Sequence, residues 1–491
     1  MQYGPITPSF GGGATSTNIS PVILIATIIA VVLILVLPRK YVPAPFLALI
    51  FLGSVGQQLY VGGVHLYVLR VLILAGLVRL VLFSGNALRS RFGGGWTSVD
   101  TAFLLWAVFR AVAAVIQNSG SSGAIVYEVG GLWDSLGGYL VLRFLIQDTE
   151  DAIRVIKIFA TIALILGVSM INEKLRMQNI FGYLGTIPVV PGIREGSVRA
   201  QGASAHAILA GVLGATLVPM FVWLWKSGKA RLAGALGVFG ASAMVATSGS
   251  STPLLAYVAV FVGLFFWPFR KRMRTFRWGL GLTLVALHLV MKAPVWFLIA
   301  RVDILAGNSG YHRAMLIDQC VRHFWDWWLV GANTANWGWD MWDLSNQFVA
   351  EADTGGLATL ICFFLVITRT FARIGNARKI VEGDSKEEWF VWFLGVTLFT
   401  HMVGFFGISY FDHTKIWWSA YLAIASVVTA PILAAHLASA EPPSTPLRKV
   451  HPLSESIPPA ETDSPFLARP LIQQQRFESA RLPNRWFKGA K

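Results

Sequence analysis

Charge is scarce in this chain of 491 residues: Asp, Glu, Lys and Arg together make up 13%. Soluble domains carry about 25%, so a surface wholly wetted by water is excluded. Cysteine is scarcer, with Cys320 and Cys362 alone. Their spacing fits no metal-ligand pattern, and Cys362 falls in an apolar run, which argues against a structural disulfide. There is no P-loop, so nothing indicates an ATP-driven pump. No His, Asp or Glu pair stands at metal spacing, so no metal is required. The first apolar run lacks a basic n-region and is too long for a cleavable signal peptide.

Apolar residues fill the gap. They make up 55% of the chain, mean hydropathy is +0.60, and the implied solvent is a bilayer. Apolar runs at 19–37, 43–59, 65–83, 98–117, 129–147, 153–171, 203–224, 232–247, 253–268, 278–291, 355–372, 389–408 and 416–436 predict an all-α, polytopic transmembrane bundle of about 13 spans. Residues 1–18 are rich in Gly, Ser and Thr and read as disordered; 437–491, rich in Pro, Ser and basic groups, read as a disordered cytoplasmic tail.

The net charge is +15. The basic residues flank apolar runs and the tail rather than lining one groove, so anionic membrane lipids, not nucleic acid, account for most of them. Alternating the loops between two sides collects Arg39, Lys40, Arg154, Lys157, Lys226, Arg231 and Arg270 on one side, the cytoplasmic one, and places the N-terminus outside. Three opposite loops, 57–65, 118–127 and 247–252, carry no Lys or Arg. Two others do: 172–200 holds Lys174, Arg176, Arg194 and Arg199, and 292–354 holds Lys292, Arg301, Arg313 and Arg322. Cations kept on the side that topology tends to clear of them point to an anionic ligand there.

Three constellations could carry chemistry. Arg194, Glu195, Arg199, Gln201 and His206 lead into the span at 203–224. Arginines beside the free N–H groups of a helix start suit phosphate; the bland alternative is snorkelling to headgroups. His312, Arg313, Ile317 and Asp318 fit an amphipathic helix within a helical stretch from Tyr311 to Trp328, the alternative being a solvated helix with an Arg313–Asp318 contact. Trp339, Trp342, Asp343, Ser345, Asn346 and Gln347 offer rings for pyranose faces, polar groups for hydroxyls and a carboxylate for general-base work, against the alternative of an aromatic belt. The Ser- and Gly-rich turn at 247–252 and the Asp412–His413 pair are weaker candidates. Arg70, Arg79, Arg110 and Arg143 are expected to snorkel or to pair inside the bundle.

Over residues 150–435 the chain resembles the O-antigen ligase and O-antigen polymerase-like superfamily of bacterial envelope glycosyltransferases. Arg199, Ala200, Gln201 and Gly202, with His206 entering a span, resemble its Arg-x-x-Gly segment after the first external loop. Arg313, followed by an apolar-aromatic helix to Trp328 and then Gly331, resembles its Arg…Gly loop start. Ser345 and Asn346, then nine residues, Gly356 and Thr359, resemble the ligase pattern of His-Asn, nine residues, Gly-x-x-Gly/Thr/Tyr. Two positions depart: the family's His is Ser345 here, and its frequent Ser-Arg turn is Ser248, Gly249, Ser250 and Ser251.

The resemblance implies a C-type glycosyltransferase in the bacterial inner membrane, working without metal, cofactor or nucleotide sugar. It would move a glycan from undecaprenyl pyrophosphate to a glycan or lipid acceptor at the outer face, inverting the anomeric centre. The expected pyrophosphate ligands are Arg199 and Arg313, with Arg194 and Arg301 in reserve. The candidate bases are Asp343, His312 and His206, in that order, and Trp339, Trp342 and Asn346 would position sugar. A transporter or flippase of a lipid-linked glycan is the alternative function, and an envelope-assembly scaffold the third.

Overall fold

Helix starts are written into the sequence as caps. In a computed structural model, which describes residues 16–62, 64–83, 92–120, 122–194, 196–301, 309–332, 334–338, 341 and 343–440, the Ser20 hydroxyl accepts from Ile23 N at 3.3 Å to open α1 (Pro21–Val36). Thr97 and Asp100 form a reciprocal capping box at α4 (Ser98–Gln117). Asp148 caps α7 (Thr149–Arg176), and Asp384 caps α16 (Ser385–Phe405).

The remaining helices follow the apolar runs. They are α2 (Pro43–Leu52), α3 (Val68–Phe83), α5 (Ser122–Leu132) continued through a π turn into α6 (Gly138–Leu145), α8 (Ala207–Lys226), α9 (Arg231–Thr247), α10 (Ser251–Phe265), α11 (Met273–Val290), α15 (Gln347–Ile380) and α17 (His413–Ala440). Every predicted span overlaps one of them. Six, namely α4, α7, α8, α15, α16 and α17, are long and apolar enough to cross a membrane by themselves. Up to seven do so if α10 and the helical stretch 267–290, bent by 76° from it, count as one broken span.

The structure departs from the sequence reading in several places. Two small antiparallel hairpins interrupt the all-helical pattern: β1 (Gln58–Val61) with β2 (Val64–Tyr67), and β3 (Gly192–Arg194) with β4 (Ser197–Arg199). The run expected to be helical over 43–59 stops at Leu52. Its end is recruited elsewhere: Gln57 accepts from Ser20 N at 2.8 Å and donates to the Leu184 carbonyl at 2.6 Å. Asn18, expected to be disordered, is paired with Gln58 through two backbone bonds. Helix α17 runs to Ala440, past the expected boundary at 436, while the tail from 441 and the stretch 1–15 lie outside the described residues.

Small residues bring the helix axes together, as bilayer packing favours. A Cβ at Gly240 would lie 2.4 Å from the Ala163 carbonyl oxygen, so α7 and α9 touch backbone to backbone. Outward faces stay apolar: Val81 is 70% exposed and Leu289 77%, and α11 buries no residue at all. Such patches on a water-soluble surface would drive aggregation.

The loops sort by end. Arg39 pairs with Asp151, and Arg270 and Arg378 reach Glu388 at 2.7 and 3.0 Å, linking loops of the basic set. At the other end Ala200 N donates to the Thr247 carbonyl, Ala205 N to Asp412 and Gln117 to the Asp353 carbonyl. The loop before α15 forms α12 (Leu298–Arg301), α13 (Ser309–Arg322) and α14 (Phe324–Trp327), so the helical stretch expected from Tyr311 to Trp328 is broken at His323.

Candidate anion-binding site

Strands β3 and β4 deliver Arg199. Gly196 turns the hairpin at φ +73°, a left-handed conformation that favours glycine. The strand then docks through Ala200 N on the Thr247 carbonyl at 3.2 Å. Two polar groups fix the next residues of the chain: the Glu173 carboxylate accepts from Gln201 N and Gly202 N, and Asn179 donates to the Gly202 carbonyl at 2.8 Å. The Arg199 guanidinium donates through Nη2 to Ser250 Oγ at 2.8 Å, while its buried Nε has no hydrogen-bond partner. Burial, then the neighbouring Arg194, lowers the Arg199 pKa. A buried donor with no acceptor is costly, and an anionic oxygen would relieve it.

His206 caps α8, its Nδ1 accepting from Ile208 N at 3.1 Å. Burial, then Arg199, then Arg194, push its pKa down from 6.5 to about 4. The imidazole is therefore neutral at pH 7, the form that accepts a proton, though a weaker base than a free histidine. The unfolded chain binds this proton first, so the stabilisation is full above pH 6.5 and is lost as pH falls towards 4, up to roughly 3 kcal/mol. Thermal unfolding midpoints of the purified protein should fall over that window, and His206→Asn, which keeps a cap, should flatten the fall. An unchanged slope in the variant would assign it to other groups. Close by, Asp412 (φ 59°) accepts from Ala205 N at 3.3 Å, and burial raises its pKa.

Arg313 approaches from the other loop. It is 6% exposed, and its Nε donates to the Gly407 carbonyl at 3.2 Å. Thr252 Oγ1 donates to the same oxygen at 3.3 Å. The two arginines thus reach one short turn, 248–252, from two loops, Arg199 at Ser250 and Arg313 through the acceptor it shares with Thr252. That turn opens α10, whose first N–H groups add the positive end of a helix dipole.

The other expected residues are placed differently. Arg194 ends β3, exposed but close enough to act on Arg199 and His206. Arg301 ends α12, exposed, and among the described residues no hydrogen bond or ion pair ties it to the turn. His312 donates from Nε2 to the Asp343 backbone carbonyl at 3.0 Å, with the Asp343 carboxylate 4.0 Å away and half exposed. One residue step turns a helix by about 100°, so His312 faces away from Arg313. It lines a cavity of about 170 Å³ with Tyr311, Gln319, Trp337 and Met341. Trp339 and Trp342 lie outside the described residues.

Asn346 has a structural role beside its expected sugar contact, for which its buried Nδ2, without a hydrogen-bond partner, leaves a donor. It is fully buried, and its Oδ1 caps α15 by accepting from Phe348 N and Val349 N at 3.0 and 3.3 Å. Asn346→Ala should therefore cost about 1 kcal/mol of stability, read as a lower unfolding midpoint. Arg313 and Asp318 do not pair; Asp318 holds Arg322 at 2.6 Å and Trp296 at 3.2 Å. The motif glycines are structural. Gly356, at φ +69° inside a kink of α15, and Gly331, at φ +96°, allow the loop backbone to lie on that kink, with Leu357 N donating to Trp328 O and Ala332 N to Asp353 O. A Cβ at Gly331 would stand 1.9 Å from the Asp353 carbonyl oxygen.

Gly407 had no signal in the sequence, because its contribution is a backbone carbonyl. Glu173 and Asn179 could have been found as polar residues beside an arginine-bearing loop at a membrane boundary. No protein-family model matches this chain, and no curated protein is significantly similar to it.

Proposed function

We propose that the protein is a bacterial inner-membrane glycosyltransferase of the C type, with about 13 membrane segments and its N-terminus outside. It transfers a glycan from undecaprenyl pyrophosphate to an acceptor hydroxyl at the outer face, as an O-antigen ligase or polymerase does. The observation that carries this reading is that Arg199, with its unfilled buried Nε, bonds Ser250 of the turn 248–252, while Arg313 bonds the Gly407 carbonyl that Thr252 of the same turn also bonds.

The acceptor oxygen forms the new bond to the anomeric carbon as the bond from that carbon to the phosphate oxygen breaks. The electron pair leaves on the diphosphate, and the acceptor proton passes to a base. Fixed guanidinium donors stabilise the negative charge that develops, so Arg199 and Arg313 hold the leaving group. Asp343 is the base of choice, and its backbone carbonyl orients His312. Purified protein, given glycan on undecaprenyl pyrophosphate in detergent, should yield elongated or ligated glycan and free undecaprenyl pyrophosphate. A flippase would release neither product, so their absence with intact protein removes the reading.

A further inference from the structure

A second cavity, mostly apolar with a few polar groups in its lining, lies among α4, α15 and α17, with a volume of about 180 Å³. It stands apart from the arginine turn but shares a segment with it: Gly407 holds Arg313, while Ser409, Tyr410 and Phe411 line the cavity. Tyr410 N also donates to Gln347, fixing one wall.

The carboxylates near this cavity are already engaged. Glu351 accepts from Trp106 Nε1 at 2.8 Å and Gln347 Nε2 at 2.6 Å, and it faces Arg110 at 3.6 Å. Glu128 takes Arg110 at 3.5 Å, and Asp134 takes Arg70 at 3.2 Å. Lys415 differs. It is half-buried and lines the cavity, and among the described residues its ammonium has no hydrogen bond and no carboxylate within 4.0 Å. Asp134, Glu351 and Glu128 act on it only through space. The three cations Arg70, Arg110 and Lys415 balance the three carboxylates. A charged ligand would upset that balance in a low-dielectric setting, at a high energetic cost; an uncharged one would not.

We infer that this cavity binds one uncharged sugar ring. Trp106 and Trp418 give it apolar ring surface to pack on, Lys415 donates to its hydroxyls, and the hydroxyls of Ser409 and Ser419 add to the polar lining. The cavity, about 180 Å³ in volume, is small and suits a ligand no larger than one ring in its inner part. Binding here does not depend on the transferase reading; if that reading holds, this ring is the end of the acceptor.

The test uses full-length protein in lipid nanodiscs free of glycosidic detergent. Saturation-transfer NMR reads binding of glucose, galactose, N-acetylglucosamine and the anionic glucuronate. At least one neutral sugar should bind, and glucuronate should bind more weakly than that sugar. Lys415→Met, and Ser419→Leu, which fills the cavity without touching a charge, should each weaken the neutral sugar about tenfold or more. Either variant suffices if the other does not fold. The inference is overturned if wild type binds no neutral sugar, if glucuronate binds best, or if a folded variant binds as wild type does. Loss of transfer activity with sugar binding intact would count against the transferase reading alone.

Discussion

Alanine at Arg199 or at Arg313 should lower glycan transfer by about 10²- to 10³-fold while leaving the protein folded. That is the range seen when one fixed donor to a developing oxyanion is removed. The two replacements are not equivalent. Arg199 gives up a contact with Ser250 and a buried Nε that already lacks a partner, so its loss relieves a local cost. Arg313 leaves the Gly407 carbonyl to Thr252, which still donates to it at 3.3 Å. Both acceptors keep another hydrogen-bond contact, Ser250 with Ser248 and Gly407 with Thr252, which favours retained folding. Lysine at either position keeps the charge but loses the planar fork, so activity should return only in part. Rates from a purified lipid-linked donor, with elution profiles as the folding control, decide the matter. Wild-type rates in both alanine variants would remove the arginines from the mechanism.

The largest effect on stability is expected at Arg143, far from the site. Arg143 is fully buried; it donates to Asp100 at 2.7 Å and to the carbonyls of Gly93 and Gly95 at 3.1 and 2.9 Å. Asp100 also closes the capping box of α4 and accepts from the Tyr139 hydroxyl. Arg143→Met leaves that carboxylate buried without its cation, a change that typically costs about 3–5 kcal/mol. Expression and unfolding midpoint should both fall steeply. Adding Asp100→Asn removes the stranded charge and can retain the cap, so the double variant should recover part of the loss. A double variant worse than Arg143→Met alone would show that the ion pair is not the source of the stability.

Hydropathy made the helices legible, because a bilayer leaves the backbone no better way to satisfy its polar groups. It failed where a side chain serves a distant segment. Gln57 sits at the end of an apolar run, yet it ties Ser20 to Leu184, which the run could not reveal. Arg199 and Arg313 were legible as cations on the disfavoured side. Their acceptors were not, since these are a backbone carbonyl and a serine turn that reads as an ordinary connector. Asn346 carried a second signal that went unread: an Asn just before a helical run is also a cap. The cavity at Lys415 went unseen because its residues come from helices far apart in sequence.

One measurement bears most directly on the diphosphate site: a cryo-electron microscopy map of the full-length protein in nanodiscs with undecaprenyl pyrophosphate. Density for two phosphates within hydrogen-bond distance of Arg199 and Arg313, over the turn at 248–252, is the expected result. Headgroup density elsewhere, with the guanidiniums still on Ser250 and Gly407, would contradict it.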